Sequence, residues 1–92
     1  MNKTELVHLV ALKADVTNKE AANVVDALLE TITETLATGE KVVVTGFGTF
    51  EVRLRAERVG KNPRTGEQIT VPEQKTPAFR AGKLLKEAVK KS

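Results

Sequence analysis

The 92 residues of this chain are enough for one small domain. Hydrophobic residues make up 40% of the sequence and charged residues 29%, and no apolar run approaches the ~18 residues of a membrane-spanning helix. The absence of Cys excludes disulfides and Cys-ligated zinc, and a single His leaves little equipment for acid–base catalysis. We therefore expect no enzyme activity, no cofactor and no metal. The first residues lack the apolar segment of a signal peptide, so we expect a cytoplasmic protein.

The charge is distributed unevenly along the chain, although the net charge is only +3. Residues 1–46 contain four Lys and seven acidic residues, which gives a net charge of −3. Residues 47–92 contain eleven Lys or Arg and five Glu, which gives a net charge of +6. A basic second half favours a polyanionic partner that contacts one face of the protein. A solvated surface with scattered charges is the alternative that charge alone leaves open.

The first half of the chain predicts two helices. Asn2 with Glu5, and Thr17 with Glu20, have the spacing of capping boxes, which mark helix starts. Gly39 stands where a left-handed residue would end the second helix. Apolar residues recur at helical spacing in both segments. They are Leu6, Leu9 and Val10 in the first helix, and Ala21, Val24, Val25, Leu28, Leu29, Ile32 and Leu36 in the second.

After the second helix the period changes to that of β-strands. Lys41–Thr45 is rich in β-branched residues, and Gly46–Gly48 forms a tight connection into a second strand over residues 49–58. In that strand apolar side chains alternate with charged ones. One face of the strand is therefore expected to be apolar and the other charged.

The rest of the chain predicts a return strand and a short helix. In residues 67–81, Pro72 and Pro77 lack the N–H that strand pairing uses, so we expect an edge strand or a bulge. Residues 83–90 place apolar side chains on one side of a last helix. The expected fold class is α+β. It comprises an N-terminal helix-turn-helix base, a three-stranded antiparallel sheet with a projecting two-stranded β-arm, and a short C-terminal helix.

The turn between the two long strands is the most informative local feature. Asn62-Pro63-Arg64-Thr65 fits a type I turn, and Gly66 supplies the positive φ that closes a four-residue hairpin loop. The flanking strands contain few large apolar residues and cannot build a core of their own. We therefore expect them to project as a charged arm with its tip near residues 60–66.

Several alternative sites are disfavoured. The second helix carries one base, Lys19, against four carboxylates, so DNA phosphates would repel it as a recognition helix. His8 has no second His nearby, so a metal role is disfavoured. The three aromatic residues, Phe47, Phe50 and Phe79, could stack on bases. Because Phe50 falls on the apolar strand face, core packing is the favoured interpretation.

The basic residues of the second half are the remaining candidate site. Arginines at two-residue spacing on one strand face offer planar guanidinium groups that match phosphates, and a projecting arm suits a nucleic-acid groove. A solvated hairpin would explain the alternation of charge but not the preference for Arg. The basic set consists of Arg53, Arg55, Arg58, Lys61, Arg64, Lys75, Arg80, Lys83 and Lys86.

Three segments, together with the opening Met1–Leu6, closely resemble the bacterial histone-like HU family. They are Gly46–Arg53 (GFGTFEVR), Gly60–Glu67 (GKNPRTGE) and Pro77–Lys83 (PAFRAGK). The resemblance extends over essentially all 92 residues in order. It implies an intertwined homodimer whose helical base carries two β-arms that embrace double-stranded DNA. Such proteins bind with little sequence preference, favour bent or nicked DNA, bend and compact it, and are nucleoid-associated.

The resemblance also implies roles for individual residues. It adds Asn62 and Pro63 to the DNA-binding set, with Pro63 wedged between base pairs and the arm arginines in and beside the minor groove. Glu73 departs from the family pattern, which more often has a small residue there. Its negative charge near the DNA path bears on the affinity for DNA.

A dimer also follows from the size of the chain. We expect one domain over residues 1–92, with residues 1–46 as helical dimerisation base and first strand, 47–82 as sheet and arm, and 83–92 as the last helix. The arm uses about twenty residues, and the remainder is marginal as a lone subunit. The expected dimer core consists of Leu29, Ile32, Leu36, Phe47, Phe50 and Phe79. An alternative function is β-augmentation of a protein partner by the arm, which would favour apolar anchors over Arg and Lys.

Overall fold

The computed structural model describes residues 1–91, which form three helices and five strands. In chain order these are α1 (Lys3–Ala14), α2 (Asn18–Ala37), β1 (Val42–Val44), β2 (Gly48–Arg55), β3 (Arg58–Lys61), β4 (Gln68–Val71), β5 (Gln74–Ala81) and α3 (Lys83–Lys90). None of the helices among the described residues is long and apolar enough to cross a bilayer. The chain divides into two compact units, Met1–Thr35 and the part from Leu36 onward.

Both predicted helix starts are confirmed, and each has the N-cap hydrogen bond of the predicted capping box. The side chain of Asn2 accepts a hydrogen bond from the backbone N–H of Glu5 at 2.9 Å. Thr17 Oγ1 accepts from the N–H of Glu20 at 3.1 Å and donates to Glu20 Oε1 at 3.0 Å. These bonds satisfy N–H groups that the first helical turn leaves without a partner inside the helix.

The core of the first unit is small. Its buried residues are Val7, Ala11, Ala21 and Val25. The stripe predicted for α1 is only partly correct, because Val10 packs against this core while Leu6 and Leu9 are exposed. Two of the four core residues are alanines, whose small side chains bury little apolar area. Much of the apolar surface of α1 and α2 therefore stays exposed in a single chain.

The second unit contains the predicted three-stranded antiparallel sheet, in the order β1-β2-β5. Strands β3 and β4 form a separate antiparallel pair. We call the β2–β5 pair the inner ribbon and the β3–β4 pair the outer ribbon. The expected edge strand is confirmed, because β5 lies at the edge of its sheet with Pro77 opposite Val52.

A glycine-dependent turn joins β1 to β2. The N–H of Phe47 donates to the carbonyl of Val44 at 2.9 Å, and Gly46 between them has a φ of +85°. The carbonyl of Phe47 in turn accepts from the N–H of Gly82 at 2.8 Å, which ties this turn to the start of α3. The Phe79 ring lies 5.5 Å from the Phe47 ring and 4.8 Å from the Phe50 ring, between centroids. The preference for packing over base stacking is supported by these contacts.

The two long strands predicted from the sequence are each interrupted. Ala56 and Glu57 separate β2 from β3, and Pro72 and Glu73 separate β4 from β5. Pairing resumes beyond the interruption with the same offset, so neither strand contains a bulge. Pro72 has no backbone N–H and cannot donate a hydrogen bond across the ribbon at this point. Strand pairing therefore stops locally without a change of register.

Candidate nucleic-acid interface

The charged face of the inner ribbon carries Arg53 and Arg55. They are two residues apart in β2, so their side chains leave the same face of the strand. Their cross-strand partners are Thr76 and Gln74, which are uncharged. Both arginines are exposed and are available to a polyanion.

Glu51 lies on this same face and was missed by the sequence analysis as part of the site. Its Oε1 is 3.5 Å from an Arg53 guanidinium nitrogen and 3.8 Å from Nε of Arg80. The Glu51 side chain is only 24% exposed, whereas both arginines are more than half exposed. One carboxylate therefore faces two basic residues of the predicted interface, one on each strand of the inner ribbon.

The opposite face of the inner ribbon changes character along its length. Phe50 and Val52 are half-buried, whereas the side chain of Leu54 is 62% exposed. The cross-strand partner of Leu54 is Lys75, which is also exposed. The burial of apolar side chains on this face thus ends before Leu54. The cross-strand neighbour of Leu54 is the predicted DNA-binding residue Lys75 and not an apolar residue.

A cavity of about 360 Å³ lies at the interruption of the ribbon. It is lined by Arg55, Ala56, Arg58, Val71, Pro72 and Gln74. Two predicted DNA-binding arginines, one from each ribbon, therefore border a single concave surface. Glu57 and Glu73 occupy the interruption as well and are exposed, so this stretch contains charges of both signs.

The outer ribbon has no buried residue. Lys61 is exposed and pairs with Gln68 across the strands, directly before the tip. Val59 is 66% exposed, and Ile69 is exposed as well. Basic and apolar side chains are therefore both accessible along this pair of strands.

The tip loop is closed by hydrogen bonds around Asn62. The N–H of Asn62 donates to the carbonyl of Glu67, and its own carbonyl accepts from the N–H of Gly66, both at 2.8 Å. Gly66 has a φ of +74°, the positive value that the sequence predicted. Pro63 and Arg64 are exposed at the end of this loop.

Further basic residues lie beyond the ribbon. Arg80 is opposite Thr49 near the end of β5, and Lys83 is the first residue of α3. Lys86 lies three residues later and therefore shares a helix face with Lys83. All three basic side chains are exposed. The predicted set thus extends from the tip loop to the start of α3 within the second unit.

No cluster of His, Asp and Glu among residues 1–91 could hold a metal ion. The only His of the sequence, His8, has its Nδ1 3.3 Å from Oδ1 of Asn18, which joins α1 to the start of α2.

Comparison with known proteins identifies the chain. The family model described as "Bacterial DNA-binding protein" matches residues 1–90. The sequence is 59% identical over 90 residues to the DNA-binding protein HU of Staphylococcus aureus, which covers 98% of this chain and all of that protein. The chain belongs to the bacterial HU family of DNA-binding proteins. The family resemblance inferred from the three sequence segments is thereby confirmed.

Other HU proteins show the same similarity in sequence and structure. A prophage-derived HU protein of Bacillus subtilis is 57% identical over 90 residues and matches 98% of each chain. The Anabaena HU structure from a cocrystal with DNA has a TM-score of 0.91 and 53% identity, covering 97% of both chains. HU from Thermotoga maritima has a TM-score of 0.68 and 40% identity, covering 97% of this chain and 98% of the other. The α+β arrangement of helices and antiparallel strands is thus that of HU.

Proposed function

We propose that a homodimer of this HU chain binds double-stranded DNA with little sequence preference through two β-arms in the minor groove. It bends and compacts the DNA and is nucleoid-associated in the cytoplasm. The observation that carries the proposal is a series of exposed basic side chains from Arg53 to the tip loop. They lie along the inner and outer ribbons, which pair in the same register. Anabaena HU, crystallised with DNA, has the same fold and supports the choice of partner.

Low sequence preference follows from the chemistry of the exposed groups. Lys and Arg side chains neutralise phosphates, which carry no sequence information. The minor groove presents nearly the same acceptors for A·T and T·A pairs, so a ribbon placed there discriminates little. The second unit offers the side chains for this mode, and Lys83 and Lys86 add positive charge outside the ribbon.

Pro63 supports the bending part of the proposal. Its ring is exposed at the tip, where no apolar core is present to receive it. Minor-groove architectural proteins, HU among them, insert apolar wedges between base steps and kink the duplex. Unstacking a base step costs a few kcal/mol, and a nick or a bend has already met part of that cost. A Pro63 wedge therefore accounts for a preference for bent or nicked DNA.

The apolar surface supports the homodimer. Leu29, Phe47 and Phe79 are 48%, 47% and 41% exposed in the single chain, and Ile32, Leu36 and Phe50 are only half-buried. Large apolar side chains in such numbers mark an interaction surface. A second copy of the chain that covers these six residues would supply the core that the single chain lacks.

A salt titration tests the DNA-binding proposal. The logarithm of the affinity for a plain duplex should fall linearly with the logarithm of salt concentration, with a slope of about −0.9 per phosphate contact. Arg55→Ala should make the slope shallower by about two units, one for each arm of the dimer. Lys13→Ala in α1 removes the same charge outside the ribbon and serves as the control.

The titration also separates the two candidate functions. Non-specific DNA binding is contradicted if the protein does not bind plain duplex DNA. It is also contradicted if Arg55→Ala weakens binding to one DNA sequence only. β-Augmentation of a protein partner would then become the better interpretation of the ribbon.

Thermal melting tests the homodimer. Because folding and association are coupled in an obligate dimer, the melting temperature should rise with protein concentration. Sedimentation in the micromolar range should give about twice the mass of one chain. A folded monomer of 10.0 kDa under these conditions would contradict the dimer.

A further inference from the structure

In the tip loop, the side chain of Asn62 forms a hydrogen bond that spans Pro63. Asn62 is half-buried, whereas residues 63–70 that follow it are all exposed. Its Oδ1 accepts a hydrogen bond from the backbone N–H of Arg64 at 2.9 Å. This bond closes a ring that contains Pro63, the arrangement of an Asx-turn.

The backbone of Asn62 is fixed on both sides as well. Its N–H and its carbonyl are the groups that bond to Glu67 and Gly66 across the loop. The φ of Pro63 is set by its own ring, so the Asx-turn restrains the remaining freedom between Asn62 and Arg64. We propose that Asn62 is a positioning residue, whose side-chain oxygen fixes the direction in which the Pro63 ring leaves the tip. This inference rests on the proposed wedge role of Pro63.

An exposed loop without this bond would adopt several conformations, and DNA would have to select one of them. Selection of a minor conformation lowers the apparent affinity by the fraction of molecules that hold it. A net hydrogen bond of this kind corresponds to about a threefold to tenfold change in that population. Asn62→Ala should therefore weaken binding to a centrally nicked duplex about threefold to tenfold for each arm that engages the DNA. An arm bound with the ring misdirected does not wedge the duplex, so the mean bend angle at saturation should fall as well.

Two further variants separate positioning from direct contact with DNA. Asn62→Asp keeps the acceptor oxygen but loses the amide N–H₂, so its bend angle at saturation should equal that of the unchanged protein even if its affinity falls. Thr65→Ala removes a longer hydrogen bond of the same loop, from the N–H of Glu67 to Thr65 Oγ1 at 3.3 Å, and should leave the bend angle unchanged. The bend angle is measured by energy transfer between dyes at the ends of the nicked duplex.

Hydrogen exchange in the free protein reports on the loop itself. The Arg64 amide should exchange slowly in the unchanged protein and in Asn62→Asp, and faster in Asn62→Ala. Equal exchange in all three proteins would contradict the Asx-turn as the restraint. Equal loss of bending in Asn62→Ala and Asn62→Asp would mean that the amide touches DNA, and would also overturn the positioning role.

Pro63→Ala distinguishes this inference from the proposed function. Lower bending in Pro63→Ala with an unaltered bend in Asn62→Ala overturns the positioning role and leaves the wedge intact. Unaltered bending in Pro63→Ala overturns the wedge, and with it any positioning of the wedge. If both hold, the double variant should bend DNA no less than Pro63→Ala alone, since the Asn62 side chain then has no ring to direct.

Discussion

The two halves of the ribbon share one register but are held together differently. In the inner ribbon, the rings of Phe50 and Phe79 contact each other across the strands at an angle of 46°, and Gly48 is buried against Phe79. In the outer ribbon every residue is exposed or half-buried, and the pairing depends on backbone hydrogen bonds and the tip loop. Contacts between large apolar side chains therefore stabilise the inner ribbon, whereas local turn chemistry stabilises the outer one. Substitutions in the two halves should have unequal consequences.

Glycine-to-alanine substitution should give the largest contrast. A Cβ at Gly48 would lie 2.5 Å from Cζ of Phe79 and 2.7 Å from the carbonyl oxygen of Arg80. Because backbone and ring must both shift, Gly48→Ala should lower the free energy of unfolding by about 2–3 kcal/mol. A Cβ at Gly60 would approach no atom closer than Ile69 Cγ1 at 3.9 Å, so Gly60→Ala should change it by less than about 0.5 kcal/mol. Denaturant titration of both variants measures the difference. Similar losses would contradict the contrast between the halves.

Exchange of Val for Thr should also cost more stability in the inner ribbon than in the outer one, by a smaller margin. Val52 in the inner ribbon is half-buried, so a hydroxyl there loses hydration, and Val52→Thr should cost about 1 kcal/mol. Val59 in the outer ribbon is 66% exposed, and Val59→Thr should be neutral within about 0.5 kcal/mol. Thermal melts at matched protein concentration provide the measurement. An equal cost at both positions would show that the outer ribbon buries its apolar side chains in solution.

Removal of the Glu51 charge should have the smallest effect on stability but a measurable one on binding. Both ion pairs of Glu51 are long and have an exposed arginine as partner, and such pairs are worth about 0.2–1 kcal/mol, so Glu51→Gln should leave the melting temperature nearly unchanged. Arg53 and Arg80 would no longer face a carboxylate, and a phosphate would meet no competitor there. We expect duplex affinity to rise about threefold at low salt.

Glu34→Gln in α2 is the matched control for this prediction. It changes the net charge equally, and no ion pair joins Glu34 to another described residue. A rise in affinity for both variants would indicate a general effect of charge. A fall for Glu51→Gln would indicate that the carboxylate orders the two arginines for binding.

Features that depend on neighbouring residues could be predicted from the sequence. The Thr17–Glu20 capping box and the tip loop with Gly66 each join residues within five positions, and both are present. The family motifs extend this to the fold class. The interaction of Glu51 with Arg80 could not be predicted in the same way, because it depends on the register between β2 and β5. No single segment encodes that register.

The buried side of α1 also could not be predicted from the sequence pattern. Leucines at helical spacing suggest a buried stripe, yet Val7 and Ala11 are buried while Leu6 and Leu9 remain exposed in the single chain. A hydrophobic pattern indicates which residues favour burial, but not whether they are buried by the same chain or by a second one. The interruption at residues 56–57 could be anticipated only from the opposite strand, where Pro72 stands. The basic residues of the interface stay predictions until DNA binding is measured.

The unchanged register across the interruption has a consequence for how such arms can vary in length. Ala56 and Glu57 on one strand stand opposite Pro72 and Glu73 on the other, two residues against two. Because side chains alternate with a period of two, a deletion or insertion of two residues on both strands would keep every remaining side chain on its face. A change of one residue on one strand alone would turn part of that strand over, and a change of two residues on one strand alone would leave residues without cross-strand partners. The length of the arm can therefore change in steps of four residues, two on each strand, while the tip loop and the base of the arm keep their orientation.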